Sequence, residues 1–190
     1  MKKIIQKENP ILRKKASEVP IAQVKTVKIK KVIAEMSEAL AGEHDGVAIA
    51  ASQIGYPLRI FVVSGKIFQV GFGKKFPQPP ALRQGLRQGE SATPLSQGEK
   101  IKDLVFINPK ISKLSKEKAW VPEGCLSVRP LYGKTRRSKK ATVTAYDENG
   151  QKFTRGASGL LAQIFQHETD HLEGILFIDH AKDISEELPR

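Results

Sequence analysis

Cysteine is nearly absent: Cys125 stands alone in 190 residues. No disulfide can close within the chain, so the residue serves packing, metal binding or reactivity. Long apolar runs are missing as well. The start turns polar after Ile5, too early for the apolar segment of a signal peptide. No stretch approaches the length of a membrane span, so a reducing cytoplasm is the expected compartment. Acid is scarce beside base, with 32 Lys and Arg against 20 Asp and Glu and a formal charge of +12. The basic residues gather at Arg13 to Lys15, Lys25 to Lys31 and Lys134 to Lys140. That excess fits attraction to a polyanion such as RNA. It fits a solvated surface equally well, because no aromatic-rich RNA-binding motif accompanies it.

What is present suits a single globular domain spanning residues 1–190, since 39% of residues are hydrophobic and 27% charged. Residues from about Ile21 to Gly42 read as a helix whose apolar face holds Val24, Val27, Met36 and Leu40. A small-residue stretch, Gly46 to Gly55, precedes a strand at Leu58 to Val63. Residues of about 71–100 change character, with clustered prolines and repeated Gln-Gly pairs, and read as a loop insertion. Strands return at Leu104 to Ile107 and Thr142 to Tyr146. The turn residues Asp147 to Gly150 then join the latter to Lys152 to Thr154 as a hairpin. A second helix is expected over Ser158 to Glu173, stopped by Gly174.

The sharpest signal is His167-Glu168-Thr169-Asp170-His171. Histidines at i and i+4 sit about 40° apart around a helix, one turn along its axis, so both imidazoles can converge on one ion. On the same wheel Leu160 and Ile164 share the histidine sector, while Gln166, Thr169, Asp170 and Glu173 fall on an opposite, polar side. Glu168 lies inside the apolar arc, where a carboxylate is costly without a partner. A metal ion with its water would supply one. The bland alternative is a pair of ordinary core histidines, with Glu168 reaching solvent at a groove.

Two imidazoles leave a catalytic site short of its usual three protein ligands. Cys125, in Glu123-Gly124-Cys125-Leu126-Ser127, could supply a thiolate, though a lone cysteine is more often a small buried hydrophobe. On residue types alone, two rivals stay open. One is a His-Glu-x-x-His metallopeptidase that cuts internal bonds. The other is a basic RNA- or ribosome-binding module around a structural metal with four protein ligands.

Taken in order, Gly46-Val47-Ala48-Ile49-Ala50-Ala51-Ser52-Gln53, then Glu-Gly-Cys-Leu-Ser, then Gln166 to His171 closely resemble the three motifs of peptide deformylases. Asn9 to Arg13, Ile107-Asn108-Pro109 and Leu176 to Asp179 extend the resemblance over most of the chain outside 71–100. It implies an α+β fold in which antiparallel strands surround a central helix carrying the histidines. It implies Cys125, His167 and His171 as ligands of one divalent metal ion per chain. Iron(II) is the usual native metal, and zinc or nickel can replace it. It further implies Glu168 as the proton carrier, and Gln53 with the backbone N–H of Leu126 as donors to the oxyanion. The substrate would be the formyl-methionyl end of a nascent peptide, laid along Gly46, Val47 and Ala48 and beside Glu123 and Gly124. Leu160 and Ile164 would be walls of a methionine pocket, and an Arg137–Asp170 pair would support the helix. Three departures stand out: Ala48 where glycine is usual, Ser52 where proline is frequent, and Arg129-Pro130 in place of Pro-Gly. Some relatives dock on the ribosome through a basic C-terminal helix. Here the sequence ends soon after Asp179, past an acidic Glu186-Glu187, so any ribosome contact is expected from the basic surface of a monomer.

Overall fold

The computed structural model describes residues 2–68 and 101–186; the expected insertion at about 71–100 lies outside them. Among the described residues two α-helices, α1 (Val27–Ala41) and α2 (Gly159–Leu172), accompany eight strands. In chain order the strands are β1 (Ala48–Ala50), β2 (Ile60–Val63), β3 (Leu104–Leu114), β4 (Lys118–Gly124), β5 (Leu131–Ser138), β6 (Lys140–Tyr146), β7 (Lys152–Ser158) and β8 (Lys182–Glu186). They form a five-stranded sheet in the order β1-β2-β3-β6-β7 and a three-stranded sheet, β4-β5-β8, antiparallel at every pairing.

The continuous apolar run Ile60-Phe61-Val62-Val63 explains how the large sheet is packed. All four residues are buried, as expected of a strand covered on both faces. Ile60 and Val62 join the cluster around α1, with Met36 and Leu40. Phe61 and Val63 join the cluster around α2, where Phe61 stacks on Phe106 at 4.5 Å and both rings approach Phe165. The sheet is therefore a wall between the two helices.

Helix α1 starts later than the sequence suggests. A separate 3-10 turn occupies Ile21–Gln23, and Thr26 then caps the helix by accepting from the Ile29 N–H. The buried face is Ile29, Val32, Met36, Ala39 and Leu40. Val27, expected on that face, is 84% exposed, because it lies about 200° around the wheel from Ile29.

Helix α2 departs from the expected amphipathic pattern more instructively. Its polar side is not all at the surface: Gln166 is buried and locks onto β5 by accepting from the Ser138 N–H at 2.9 Å and donating to the Ser138 carbonyl at 3.0 Å. A polar side chain that copies a strand's hydrogen-bonding edge can be buried without loss. This lets the helix run between the large sheet and the small one. It ends at Gly174, whose φ of 76° reverses the chain while Ile175 N–H bonds to the Asp170 carbonyl. The observed architecture is α+β, with the histidine-bearing helix at its centre.

The small sheet has no counterpart in the sequence reading. Its inward positions include Glu123, Thr135 and Arg137, so β4 and β5 lack the apolar alternation that marks a half-buried strand. The Lys134 to Lys140 cluster, read as a basic patch, contributes one buried cation, Arg137, to this inner face.

Candidate metal centre

Three elements converge on Cys125, His167 and His171. Helix α2 brings the histidines, one turn apart, with ring centroids 4.9 Å from each other. The turn that follows β4 brings Cys125, whose Sγ stands 3.2 Å from Nε2 of His171. The sulfur and one nitrogen from each ring all lie within 4.8 Å of one another. The 3-10 turn Ala51–Ile54, directly after β1, brings Gln53, which is 1% exposed. Its amide donates to Ser127 Oγ at 3.1 Å and lies 3.5 Å from the Cys125 sulfur, while its carbonyl accepts from the Ala50 N–H at 2.8 Å. Both ends of the amide are thus fixed, and its NH2 is held against the sulfur.

This donor set suits a divalent transition metal: one thiolate and two imidazole nitrogens, a soft-to-borderline combination. No fourth side chain joins the cluster among the described residues, the pattern of a catalytic rather than a structural site. A second observation agrees. Glu168 is 3% exposed, and its Oε2 has no hydrogen-bond partner among the described residues. A buried carboxylate oxygen without a partner is costly, unless a reactant or ion occupies the space it faces. Burial pushes Glu168 up to about 7, near neutrality, where a proton carrier is most effective. Burial also drives His171 well below the usual imidazole range, with the His167 charge adding to the effect. A neutral ring with a free lone pair is the form that binds a metal.

His167 is held by a different device. Its Nδ1 meets Oε1 of Glu123 at 2.7 Å, which leaves Nε2 as the nitrogen that could bind a metal. Burial opposes a charge on this ring, but hydrogen bonds to Cys125 and Glu123 outweigh it and raise its proton affinity. Glu123 was expected beside the bound peptide; its side chain is turned into the protein. Its carboxylate accepts from Thr135 Oγ1 at 2.5 Å and from Arg137 at 2.6 and 3.0 Å, besides facing His167. Gln163 reaches it at 3.4 Å. Burial alone would raise its pKa, yet His167 and Arg137 hold it far below the carboxylate range. With both oxygens engaged inside the protein and only 6% exposure, the Glu123 carboxylate faces His167 rather than solvent. Arg137 also donates to Asp170 Oδ2 at 2.6 Å, so the expected Arg137–Asp170 contact is present, with Glu123 as a third member. Thr135 and Ser127 were not singled out by sequence.

The remaining expected residues divide between the cleft and the core. Gly46 is pressed between neighbours, for a Cβ there would come 2.9 Å from the Glu43 Cβ and 3.1 Å from Leu126. Val47 leads into β1, where Ala48 pairs with Val63. β1 is an edge of the large sheet, so one side of its backbone pairs with no strand among the described residues. Leu126 follows Cys125 in the turn, and its carbonyl accepts from Gln6 at 3.2 Å. Gly124 makes room for a ring: an added Cβ would fall 2.4 Å from Tyr132. Ile164 is 4% exposed within the core shared with Phe165, whereas Leu160 is only partly buried against it. Of that pair, Leu160 alone retains appreciable exposure.

A family model for polypeptide deformylase matches residues 1–187. Peptide deformylase 2 of Clostridium acetobutylicum is 37% identical over 179 residues, covering 94% of each chain. A peptide deformylase of Psychrobacter cryohalolentis is 34% identical over 93% of this chain and 77% of its own. Among solved structures, a peptide deformylase from Legionella pneumophila superposes with a TM-score of 0.72 at 29% identity, covering 96% of this chain and 87% of the other. No helix among the described residues is long and apolar enough to cross a membrane. The chain belongs to the polypeptide deformylase family, as a metal-dependent hydrolase that removes the N-formyl group from nascent peptides.

Proposed function

We propose that Cys125, His167 and His171 hold the metal, natively iron(II), and that Glu168 moves the protons of the reaction. The observation carrying this reading is the buried Glu168 carboxylate, its Oε2 unpartnered among the described residues, next to His167 on the helix whose two imidazoles lie within 4.8 Å of the Cys125 thiol. When bound, the metal would act as a Lewis acid, lowering the pKa of water and polarising the formyl carbonyl. Glu168 takes a proton from the attacking water and passes it to the departing amine nitrogen. The Gln53 NH2 and the Leu126 N–H donate to the oxygen that gains charge as the tetrahedral centre forms. Formate and a free amino terminus leave.

The formyl-methionyl peptide lies along Gly46, Val47 and Ala48, adding to the free edge of β1 as a strand would, so recognition depends little on sequence beyond methionine. Leu160 contributes to the apolar pocket. Arg137, Asp170 and Glu123 act at one remove, fixing the His167 ring. In this reading one catalytic domain works as a cytoplasmic monomer, and its basic surface favours approach to the RNA-rich ribosome.

The test is formate release from formyl-Met-Ala by anaerobically purified, iron-loaded protein, repeated with Glu168→Ala. The variant is expected to keep its metal and lose roughly 10²–10⁴-fold in turnover. Full activity in that variant, or metal retained after replacing Cys125 with serine, would refute the assigned roles.

A further inference from the structure

The small sheet that delivers Glu123, Thr135 and Arg137 to the metal centre has a second face turned to solvent. On β4 the alternate residues Lys118, Trp120 and Pro122 are exposed, and on β5 so are Lys134 and Arg136. Register sets Trp120 opposite Arg136, Pro122 opposite Lys134, and Lys134 opposite Lys182 of β8. Trp120 is the single tryptophan of the sequence and is 47% exposed. The Lys182 ammonium stands 5.0 Å from the centre of its ring. One acid intrudes, Asp183, which bonds Lys134 at 3.0 Å. Along the sequence no aromatic-rich RNA-binding motif accompanies the basic clusters. Strand pairing assembles that arrangement from segments far apart in sequence.

We propose that this outer face of β4-β5-β8 binds single-stranded RNA. A base stacks on the Trp120 indole, and Lys134, Arg136 and Lys182 meet phosphates. A half-exposed indole ringed by cations is the chemistry of stacking platforms for single strands, where any base offers a π-face and the cations follow the backbone. An acidic peptide would use the cations and leave the ring idle. A membrane surface would need a continuous apolar stripe to insert, and here cations alternate with the ring. The Lys182 ammonium that covers the indole moves to a phosphate when a base takes its place. Asp183 competes for Lys134, which limits affinity and favours transient contact. The inference gives the proposed approach to the ribosome a location, and rests on that reading for the choice of RNA over another polyanion.

The single tryptophan is itself the probe. Metal-loaded protein titrated at low salt with an oligouridylate of about twelve nucleotides should show saturable quenching of Trp120 emission. The log–log salt slope should be near about −2, as expected for three phosphates on a single strand. With a labelled oligonucleotide, Trp120→Ala should bind roughly five- to a hundredfold more weakly, and Arg136→Ala should flatten the slope by about 0.7. Formate release from formyl-Met-Ala should be unchanged in both. Unmoved emission, binding indifferent to Trp120→Ala, or equal quenching by anionic phosphatidylglycerol vesicles would overturn the proposal. Ribosome co-sedimentation separates it from the reading beneath it. If wild type and Trp120→Ala pellet alike, the face is wrong while ribosome approach stands. If wild type does not pellet yet the oligonucleotide quenches Trp120, the RNA face holds and ribosome approach falls.

Discussion

Glu123 meets Nδ1 of His167 at 2.7 Å, and the same carboxylate is clasped by Arg137 at 2.6 and 3.0 Å. A strand of the small sheet thereby decides which nitrogen of a helical histidine is free to bind metal. Replacing Glu123 with glutamine keeps the shape and removes the charge. Metal affinity is expected to fall roughly 10–100-fold, read by competition with a chelator, while the far-ultraviolet circular dichroism stays unchanged. Unaltered affinity would show that the carboxylate does not set the ring.

Gln53 joins the edge strand to the cysteine turn through Ala50, Ser127 and the sulfur of Cys125. Gln53→Ala should lower turnover by about 10²–10³, the usual cost of losing an oxyanion donor. It leaves the buried Ala50 N–H without its acceptor, so stability should fall by about 1–3 kcal/mol. Turnover measured well below the unfolding temperature separates the two effects, and a variant of normal turnover would remove Gln53 from the chemistry.

Gly174 stops α2 at a φ of 76°, where an added Cβ would sit 2.5 Å from the Arg13 carbonyl. Gly174→Ala combines left-handed strain, about 1–2 kcal/mol, with a backbone clash. A lower urea midpoint with an unchanged m-value is the expected result. A midpoint equal to wild type would mean that the N-terminal segment yields freely.

Acid should weaken the contact between that segment and the turn Phe177–Asp179. Burial pushes the Asp179 carboxyl up, but hydrogen bonds from Arg13 and from the Leu176 N–H outweigh it and leave it below its ordinary range. Glu173 behaves likewise beside Arg59 and Lys15. A carboxylate with a depressed folded pKa contributes fully above its unfolded value, near about 4, and loses that contribution as pH falls through the folded one. The thermal stability gap between wild type and Arg13→Ala should therefore close as pH drops from about 5 toward about 2.5. A gap that persists to the acid limit would refute the assignment.

Local patterns were legible where a single element carries its own signal. His167 and His171 needed only helical spacing, β2 only its unbroken apolar run, and the β6–β7 hairpin only Asp147 to Gly150. Patterns failed where a partner from elsewhere changed the meaning of a residue. Gln166 read only as part of a polar helix side because nothing nearby in sequence announces the Ser138 backbone it binds. Val27 read as core because an apolar residue near a helix start fits the period loosely, yet it faces water.

The sequence by itself supplied the candidate groups: a thiol, two imidazoles and a carboxylate, with the histidine spacing already enforcing convergence on one side of a helix. Residue type fixes which atoms can bind or carry protons, and neighbours along a helix fix short distances. Tertiary structure alone decided that Glu123 turns inward to hold His167, and that Trp120 and its cations share an outer face. Both depend on the register between β4 and β5, which long-range backbone pairing sets and no local spacing records.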